Sequence, residues 1–162
     1  AYIAYTKGMM NIVLIEPKIP QNTGTIARLC AAIECKLTLV GPLGFSLDDK
    51  YLKRAGLDYW DYVDWEHLEC TDTYIQNLKA SNTVPYLLSS KVSQSYTQAR
   101  YSNDQTLIFG SETLGLSEEI KSAFSEQCIT IPMKSPHIRS LNLANAVSIV
   151  AYEALRQLEV KE

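Results

Sequence analysis

The 162-residue sequence lacks several features that would place it in a class at once. No apolar run approaches the roughly 18 residues that a membrane-spanning helix needs. The N-terminus has no basic flank followed by a long apolar stretch, so we expect no secretory signal there. Positive charge is not in excess: the formal net charge is −3, which argues mildly against a nucleic-acid binder without excluding a local basic patch. With 46% hydrophobic and 20% charged residues, the composition is typical of a globular protein.

Cysteine and histidine are too sparse and too scattered to predict a metal site. The four cysteines are Cys30, Cys35, Cys70 and Cys128, and none forms a C-x-x-C pair. The two histidines, His67 and His137, have no metal-ligand spacing. All the cysteines except Cys70 lie in apolar stretches, which favours buried thiols. Reduced cysteines without a secretory signal predict a cytoplasmic location.

The common nucleotide-binding and nucleophile motifs are absent as well. There is no G-x-G-x-x-G after a strand and no G-x-x-x-x-G-K-[ST], so neither a Rossmann dinucleotide site nor a P-loop is expected. No G-x-S-x-G nucleophile elbow is present either. Any ligand site in this chain must therefore be built in another way.

Strand and helix patterns alternate along the chain. Apolar runs of β-type residues predict strands at 11–15, 37–40, 84–88, 107–109 and 128–131. Helical spacing predicts helices at 23–33, about 48–55, a short segment after Ser117, and about 142–158. This alternation predicts an α/β fold with a mostly parallel sheet. We expect residues 10–162 to form one domain and residues 1–9 to be a short N-terminal appendage, with Met9 or Met10 as the natural start.

Three of the predicted strands end in small, polar or flexible residues. These ends read Leu88-Ser89-Ser90, Gly110-Ser111-Glu112 and Ile131-Pro132-Met133. Ligands bind beyond the carboxyl ends of strands in open parallel sheets, so neighbouring strands would form one crevice here. Gly110 would let a ligand approach the backbone closely, and Gly115 would allow the turn into the next helix. Ordinary strand-to-helix turn chemistry is the alternative explanation of the two glycines.

Three segments carry a resemblance to a known family. They read NTGTIARLC (22–30), FGSETLGL (109–116) and IPMKSPHIRSLNLANAVSIVAYEAL (131–155). In this order and at these separations they resemble the three motifs of the SPOUT superfamily, the trefoil-knotted RNA methyltransferases. The stretches IVLIEPKIPQNTGTIARLCAA and DDKYLKRAGLDYW narrow the resemblance to the small, single-domain tRNA (cytidine/uridine-2′-O)-methyltransferases of the TrmL type. The resemblance extends from about Met10 to the end of the chain.

The resemblance implies a fold and a cofactor that composition and spacing do not show. The C-terminal part is expected to thread through a loop as a deep trefoil knot, an exception to the rule that chains avoid knots. S-adenosylmethionine is expected to lie bent inside that knot. The family's contact positions fall here on Leu88, Gly110, Ile131, Met133, Ser140 and Leu141. The implied reaction is methylation of a ribose 2′-hydroxyl in tRNA, on the cytidine or uridine at the anticodon wobble position.

The resemblance also implies a catalytic set, which comprises Arg28, Glu112, Ser140 and Asn142. A guanidinium stays protonated in proteins, which favours clamping the RNA phosphate and polarising the hydroxyl over a direct role as base. We expect Glu112 to pair with Arg28 and hold it in place. Ser140 and Asn142 would complete the site by hydrogen bonding. Without the resemblance, Arg28 would be interpreted as a surface cation and Glu112 as a helix-N-terminal acid.

Two basic clusters are candidates for phosphate contacts. Lys50, Lys53 and Arg54 lie on one predicted short helix, and Lys134, His137 and Arg139 precede Ser140. An ordinary solvated surface is the alternative for each cluster.

The last helix carries a wide apolar stripe that includes Val147 and Ala151. Relatives pair through their first and last helices, so we expect a C₂ homodimer in which these residues are buried between subunits. Tyr152 is expected in packing or in the dimer interface rather than as a platform for an RNA base.

Two other functions remain open at this point. A methyltransferase of the same superfamily could act on another RNA, such as ribosomal RNA. A non-catalytic RNA- or nucleotide-binding protein of the same fold is the alternative from a different class. The intact set of Arg28, Glu112, Ser140 and Asn142 argues against the second, because a protein without the activity would be free to lose these residues.

Overall fold

The structure is a computed structural model that describes residues 8–56 and 59–159. Its strands are β1 (Asn11–Ile15), β2 (Lys36–Val40), β3 (Trp65–Leu68), β4 (Tyr86–Leu88), β5 (Thr106–Phe109) and β6 (Cys128–Ile129). Its helices are α1 (Pro20–Ile33), α2 (Lys50–Gly56), α3 (Thr71–Ala80), α4 (Glu118–Ala123) and α5 (Leu143–Leu158). Two short 3-10 helices, Trp60–Tyr62 and Ser125–Gln127, complete the described elements.

The six strands form one sheet in the order β3-β2-β1-β5-β4-β6. Every recorded pairing between neighbouring strands is parallel. The central strand β1 pairs with β2 on one side and with β5 on the other, and Asn11 lies opposite Lys36 and Thr106 respectively. The predicted α/β fold with a mostly parallel sheet is therefore confirmed.

Successive side chains of each strand point to opposite sides of the sheet, and helices cover the apolar side chains on both faces. One face is covered by α1 and α5, and its core includes Ile12, Leu14, Leu37, Leu39, Phe109, Ile26 and Val147. The other face is covered by α3 and α4, and its core includes Val13, Val40, Ile108, Ile75, Leu78 and Ile120. Strands buried on both faces have continuous apolar sequences, which is the pattern that predicted β1, β2 and β5.

Several predicted boundaries need correction. Helix α1 begins at Pro20 instead of residue 23, since proline is favoured in the first helical turn, where its missing N–H costs nothing. Helix α2 begins at Lys50, two residues later than predicted, and the Tyr51 N–H donates to Asp49 Oδ1 at 2.8 Å. Strands β4 and β6 are shorter than the predicted 84–88 and 128–131. Strand β3 and helix α3 were missed.

The apolar stripe of α5 packs inside its own chain. Val147 and Ala151 have 0% exposure in the single chain and belong to the core between α5 and the sheet. The prediction that these two residues lie between subunits is therefore wrong, because one chain alone buries them completely. Tyr152, which is 54% exposed, belongs to the outer face of the helix.

The described residues contain no helix that is both long and apolar enough to cross a membrane. Cys30, Cys35 and Cys128 are buried free thiols, as predicted, and Cys70 is exposed. Residues 1–7 of the predicted appendage lie outside the described residues. The trefoil knot stays a prediction.

Candidate active site

The three strand ends singled out in the sequence are neighbours in the structure. Strands β5, β4 and β6 are adjacent in the sheet, and a cleft of about 710 Å³ opens beyond their carboxyl ends. All six residues predicted to contact the cofactor line this cleft: Leu88, Gly110, Ile131, Met133, Ser140 and Leu141. Glu112 and Arg139 also line it. The predicted crevice is thus present, and it is formed from three separate segments of the chain.

Gly110 and Gly115, in the loop between β5 and α4, are both needed for the conformation of that loop. A Cβ at Gly110 would overlap the backbone of Gly115 and Leu116, so the loop closes tightly on Gly110. Gly115 has φ +64°, a left-handed conformation that glycine adopts without strain, and its N–H donates to Ser111 O at 3.0 Å. Gly110 still lines the cleft, and the chain's own backbone occupies the place where its side chain would lie. This packing gives a second reason for glycine at this position, and the contact of Gly110 with the cofactor stays a prediction.

The carboxylate of Glu112 binds the backbone at the start of α1. Its Oε2 accepts a hydrogen bond from Lys18 N at 2.8 Å, and its Oε1 accepts one from Ile19 N at 3.1 Å. Both amides precede Pro20, the first helical residue, and the N-cap residue Ile19 makes no side-chain cap of its own. Glu112 therefore supplies, from more than ninety positions away in the chain, the negative charge and the acceptors that a helix N-terminus favours.

Two asparagines join the three family segments into one hydrogen-bonded chain. The Nδ2 of Asn22 donates to Glu112 Oε1 at 3.4 Å, and the Nδ2 of Asn142 donates to Asn22 Oδ1 at 3.0 Å. Asn142 in turn caps α5, since its Oδ1 accepts from Asn145 N at 3.2 Å. The starts of α1 and α5 are consequently held together beside the cleft.

Arg28 lies apart from this chain of hydrogen bonds. It is exposed on α1, and its Cζ stands 4.8 Å from the ring centroid of Tyr59. Within residues 8–56 and 59–159 the structure records no ion pair between Arg28 and Glu112, so the predicted pairing is not formed. Arg28 follows Asn22 by six helical residues, which places it about 9 Å further along the helix axis. Glu112, held at the start of α1, is thereby separated from it.

Charged side chains also stand at the cleft. Glu118 Oε1 lies 2.8 Å from Lys121 Nζ, and this hydrogen-bonded ammonium lowers the pKa of the Glu118 carboxyl. Lys91 and Arg139 line the same cleft. The cleft therefore offers both signs of charge around apolar walls.

The predicted RNA contacts are on the surface where the structure describes them. Lys50 and Arg54 are exposed on α2, and the side chain of Lys53 lies outside the described residues. Lys134, His137 and Arg139 are exposed in the segment before Ser140. Their exposure makes all five available for phosphate contacts.

Two residues were missed as contributors to the site. Asn22 was noted only as part of a motif, and its bridging position between Glu112 and Asn142 depends on a fold that brings three distant segments together. Tyr59 appeared only as part of the family-like stretch DDKYLKRAGLDYW, and nothing in that stretch connects it with Arg28. Among the described residues no group of three or more His, Cys, Asp or Glu side chains could hold a metal ion.

The parallel sheet with a cleft at its strand ends is typical of α/β proteins that bind a ligand at this edge of the sheet. Comparisons with known proteins identify the family. The model of the SpoU rRNA Methylase family matches residues 9–152, and the chain belongs to this family. It is 46% identical to the tRNA (cytidine(34)-2′-O)-methyltransferase of Yersinia pestis, over 93% of this chain and 94% of that protein. The predicted superfamily is thereby confirmed.

Solved structures support the same assignment. One that concerns the 2-OH methylation of C/U34 on tRNA superposes with a TM-score of 0.84 at 42% identity, covering 93% of this chain and 97% of its own. The AdoMet-bound rRNA methyltransferase from Sinorhizobium meliloti superposes with a TM-score of 0.83 at 26% identity, covering 96% of this chain and 59% of its own.

Proposed function

We propose that this chain transfers a methyl group to the ribose 2′-hydroxyl of the cytidine or uridine at position 34 of tRNA, the position named for its similar relatives. The proposal rests mainly on one observation: three strand ends share a cleft, and all six predicted cofactor contacts line it. The hydrogen-bonded chain from Glu112 through Asn22 to Asn142 supports it, because it fixes the family's three segments beside that cleft. We place this activity in the cytoplasm, where the substrate is found.

S-adenosylmethionine is the methyl donor that we propose for the cleft. A volume of about 710 Å³ lies within the range of small-molecule sites. Leu88, Ile131 and Leu141 offer apolar walls to an adenine ring, while charged and hydroxyl groups at the cleft suit an amino-acid moiety. The residues present therefore fit the cofactor, which supplies an electrophilic methyl group when bound.

The chain's own residues supply position and charge. A guanidinium is a planar cation with five N–H donors, so Arg28 is suited to clamp an RNA phosphate and polarise the attacking hydroxyl. The hydroxyl would pass its proton to solvent water as its oxygen takes the methyl group. Ser140 lines the cleft with its hydroxyl available. Asn142 and Glu112 act through the two helix starts that they hold, and positioning of this kind contributes much of the rate in a displacement between two bound reactants.

We also propose that the active form is a C₂ homodimer through the exposed faces of α1 and α5. Tyr152 on α5 and Arg28 on α1 belong to the outer surfaces of these helices, which contact each other within the chain. A two-fold partner would double the small basic surface of one chain, so that RNA held by one subunit reaches the cleft of the other. Such an interface would bury on the order of 1,600 Å² in total.

The test is in-vitro methylation of bulk tRNA with labelled S-adenosylmethionine, followed by mapping of the modified nucleotide. We expect label on the ribose of nucleotide 34, the position named for the relatives. Ribosomal RNA is the matched second substrate, since a structurally similar protein is an rRNA methyltransferase. Label on rRNA alone would replace tRNA as the substrate, and cofactor binding without transfer to either RNA would contradict an enzymatic role.

A further inference from the structure

The aromatic face of Tyr59 lies against the guanidinium of Arg28. The distance of 4.8 Å from Cζ to the ring centroid is within the roughly 6 Å at which a cation is attracted to an aromatic ring. Tyr59 is half-buried at the start of the 3-10 helix that follows α2, and α1 packs against both α2 and this short helix. Two distant parts of the chain thus meet at this contact.

The contact matters because Arg28 is exposed and, within the part of the chain that the structure describes, the Tyr59 ring is the one partner recorded for its guanidinium. A free arginine side chain samples many rotamers. A group that must meet a phosphate and a hydroxyl at once acts only in a narrow range of positions.

The backbone at Tyr59 is part of the turn that opens the 3-10 helix. The carbonyl oxygen of Tyr59 accepts a hydrogen bond from Tyr62 N at 2.9 Å, and the side chain of Tyr59 is half-buried. The recorded contact with Arg28 is made by the aromatic face of Tyr59, since the guanidinium carbon lies over the ring.

We propose that Tyr59 is a positioning residue that holds the Arg28 guanidinium in place for the substrate RNA through its aromatic face. The inference rests on the proposed function, and it adds a residue from outside the family's three segments. It requires the ring but not the hydroxyl, and it requires Arg28 to be present for Tyr59 to matter.

The test compares Tyr59→Phe, Tyr59→Leu and Tyr59→Met in the full chain, with kcat and KM measured for tRNA methylation. Both non-aromatic variants are expected to lose about fivefold to thirtyfold in kcat, which is the upper part of the range that cation–aromatic contacts span, about 1–2 kcal/mol. KM should change by less than about threefold, because the contact orders a catalytic group instead of adding uniform binding. Tyr59→Phe should restore kcat to within about twofold, since the ring is kept.

A double-mutant cycle separates positioning from packing. In an Arg28→Ala background, Tyr59→Leu should leave the residual rate unchanged, because the partner of the ring is gone. Tyr62→Leu, at an exposed tyrosine of the same 3-10 helix, is the matched control and should keep the kcat of the wild type. Affinity for S-adenosylmethionine should also be unchanged in Tyr59→Leu, since Tyr59 is not among the cleft residues.

A spectroscopic measurement reports the contact without any activity. The side-chain protons of Arg28 should show an upfield ring-current shift in NMR spectra, which Tyr59→Leu removes and Tyr59→Phe keeps. If the wild type transfers methyl groups and both non-aromatic variants keep its kcat, the role of Tyr59 is wrong while the proposed function stands. The same follows if Tyr59→Leu lowers the rate equally with and without Arg28. Absence of methyl transfer by the wild type would overturn the proposed function, and with it this role.

Discussion

At the scale of single residues, Arg28 is the side chain whose removal separates binding from catalysis. Arg28→Ala should cut methyl transfer by at least about a hundredfold, the scale of losing one catalytic group, because no other cation replaces its planar guanidinium. Cofactor affinity should stay within a few-fold, since Arg28 does not line the cleft. Labelled methyl transfer and calorimetry measure the two quantities. Arg100→Ala, at another exposed arginine, is the control, and near-normal turnover of Arg28→Ala would return Arg28 to the status of a surface cation.

Gly110 has two physical reasons to be glycine, the cleft that it lines and the close packing of its own loop. If Gly110 served only the cofactor, Gly110→Val would abolish cofactor binding and leave the fold largely intact. The structure predicts a different result, because the added Cβ would overlap the backbone of Gly115 and Leu116. We expect a loss of about 1–3 kcal/mol in the free energy of unfolding, together with loss of cofactor binding as the loop shifts.

Thermal unfolding and calorimetry with S-adenosylmethionine test this prediction for Gly110. Gly115→Asn is the matched control in the same loop, since a Cβ at that position would meet nothing within 4 Å and asparagine tolerates a left-handed φ. A Gly110→Val protein with wild-type stability that no longer binds the cofactor would show that Gly110 serves the cofactor and not the packing of the loop.

At the scale of elements, the sequence predicted the well-buried strands and missed the more exposed elements. Strands β1, β2 and β5 lie at or next to the centre of the sheet and need apolar side chains on both faces, so their sequences carry a clear signal. Strand β3 is an edge strand whose four residues are all at least partly exposed, and WEHL has no apolar run. Helix α3 buries only Ile75 and Leu78, which is too little for a visible helical period.

The position of the candidate site could be predicted from the sequence, but the hydrogen-bond partners within it could not. Strand ends are marked in the sequence by small and polar residues, so the cleft could be inferred once β4, β5 and β6 were placed side by side. The partners of Glu112 could not, because the helix start that it caps lies far away in the chain. A carboxylate can satisfy either a cation or backbone amides, and only the fold decides between them.

The cap provided by Glu112 is itself testable at this scale. Glu112→Ala leaves the amides of Lys18 and Ile19 without their acceptors, which should cost roughly 1–2 kcal/mol in the free energy of unfolding for such partly buried groups. Glu112→Gln keeps one acceptor oxygen but loses the charge, so an intermediate loss is expected. Chemical denaturation measures both variants.

Glu119→Ala is the matched control for this cap, since Glu119 is a nearby exposed carboxylate whose recorded ion pair with Lys79 spans 4.0 Å. Surface pairs of this kind contribute little, so stability should hold. Equal stability of wild type and Glu112→Ala, with activity lost, would instead make Glu112 a purely catalytic group.

At the scale of the whole molecule, the apolar stripe of α5 was assigned to the wrong partner. A long amphipathic helix beside a small sheet suggested a surplus of apolar surface, yet the apolar stripe of α5 packs with α1 against one face of the sheet. Val147→Glu and Ala151→Glu would place charges in the core of a single chain and unfold it, so they cannot test a dimer. The relevant surface is the opposite side of the helix, where Tyr152 is exposed.

Tyr152→Glu is therefore the variant that tests the proposed homodimer. If Tyr152 is buried between subunits, a carboxylate there loses its hydration without gaining a partner, and the dimer should dissociate to a monomer in light scattering. The monomer should stay folded, because Tyr152 is 54% exposed in one chain, and methyl transfer should fall with dissociation. Val84→Glu, at a residue that is 63% exposed and precedes β4, controls for the effect of a new surface charge. A monomeric Tyr152→Glu protein with full activity would show that one chain builds the site alone, and a dimer that persists would move the interface away from the outer face of α5.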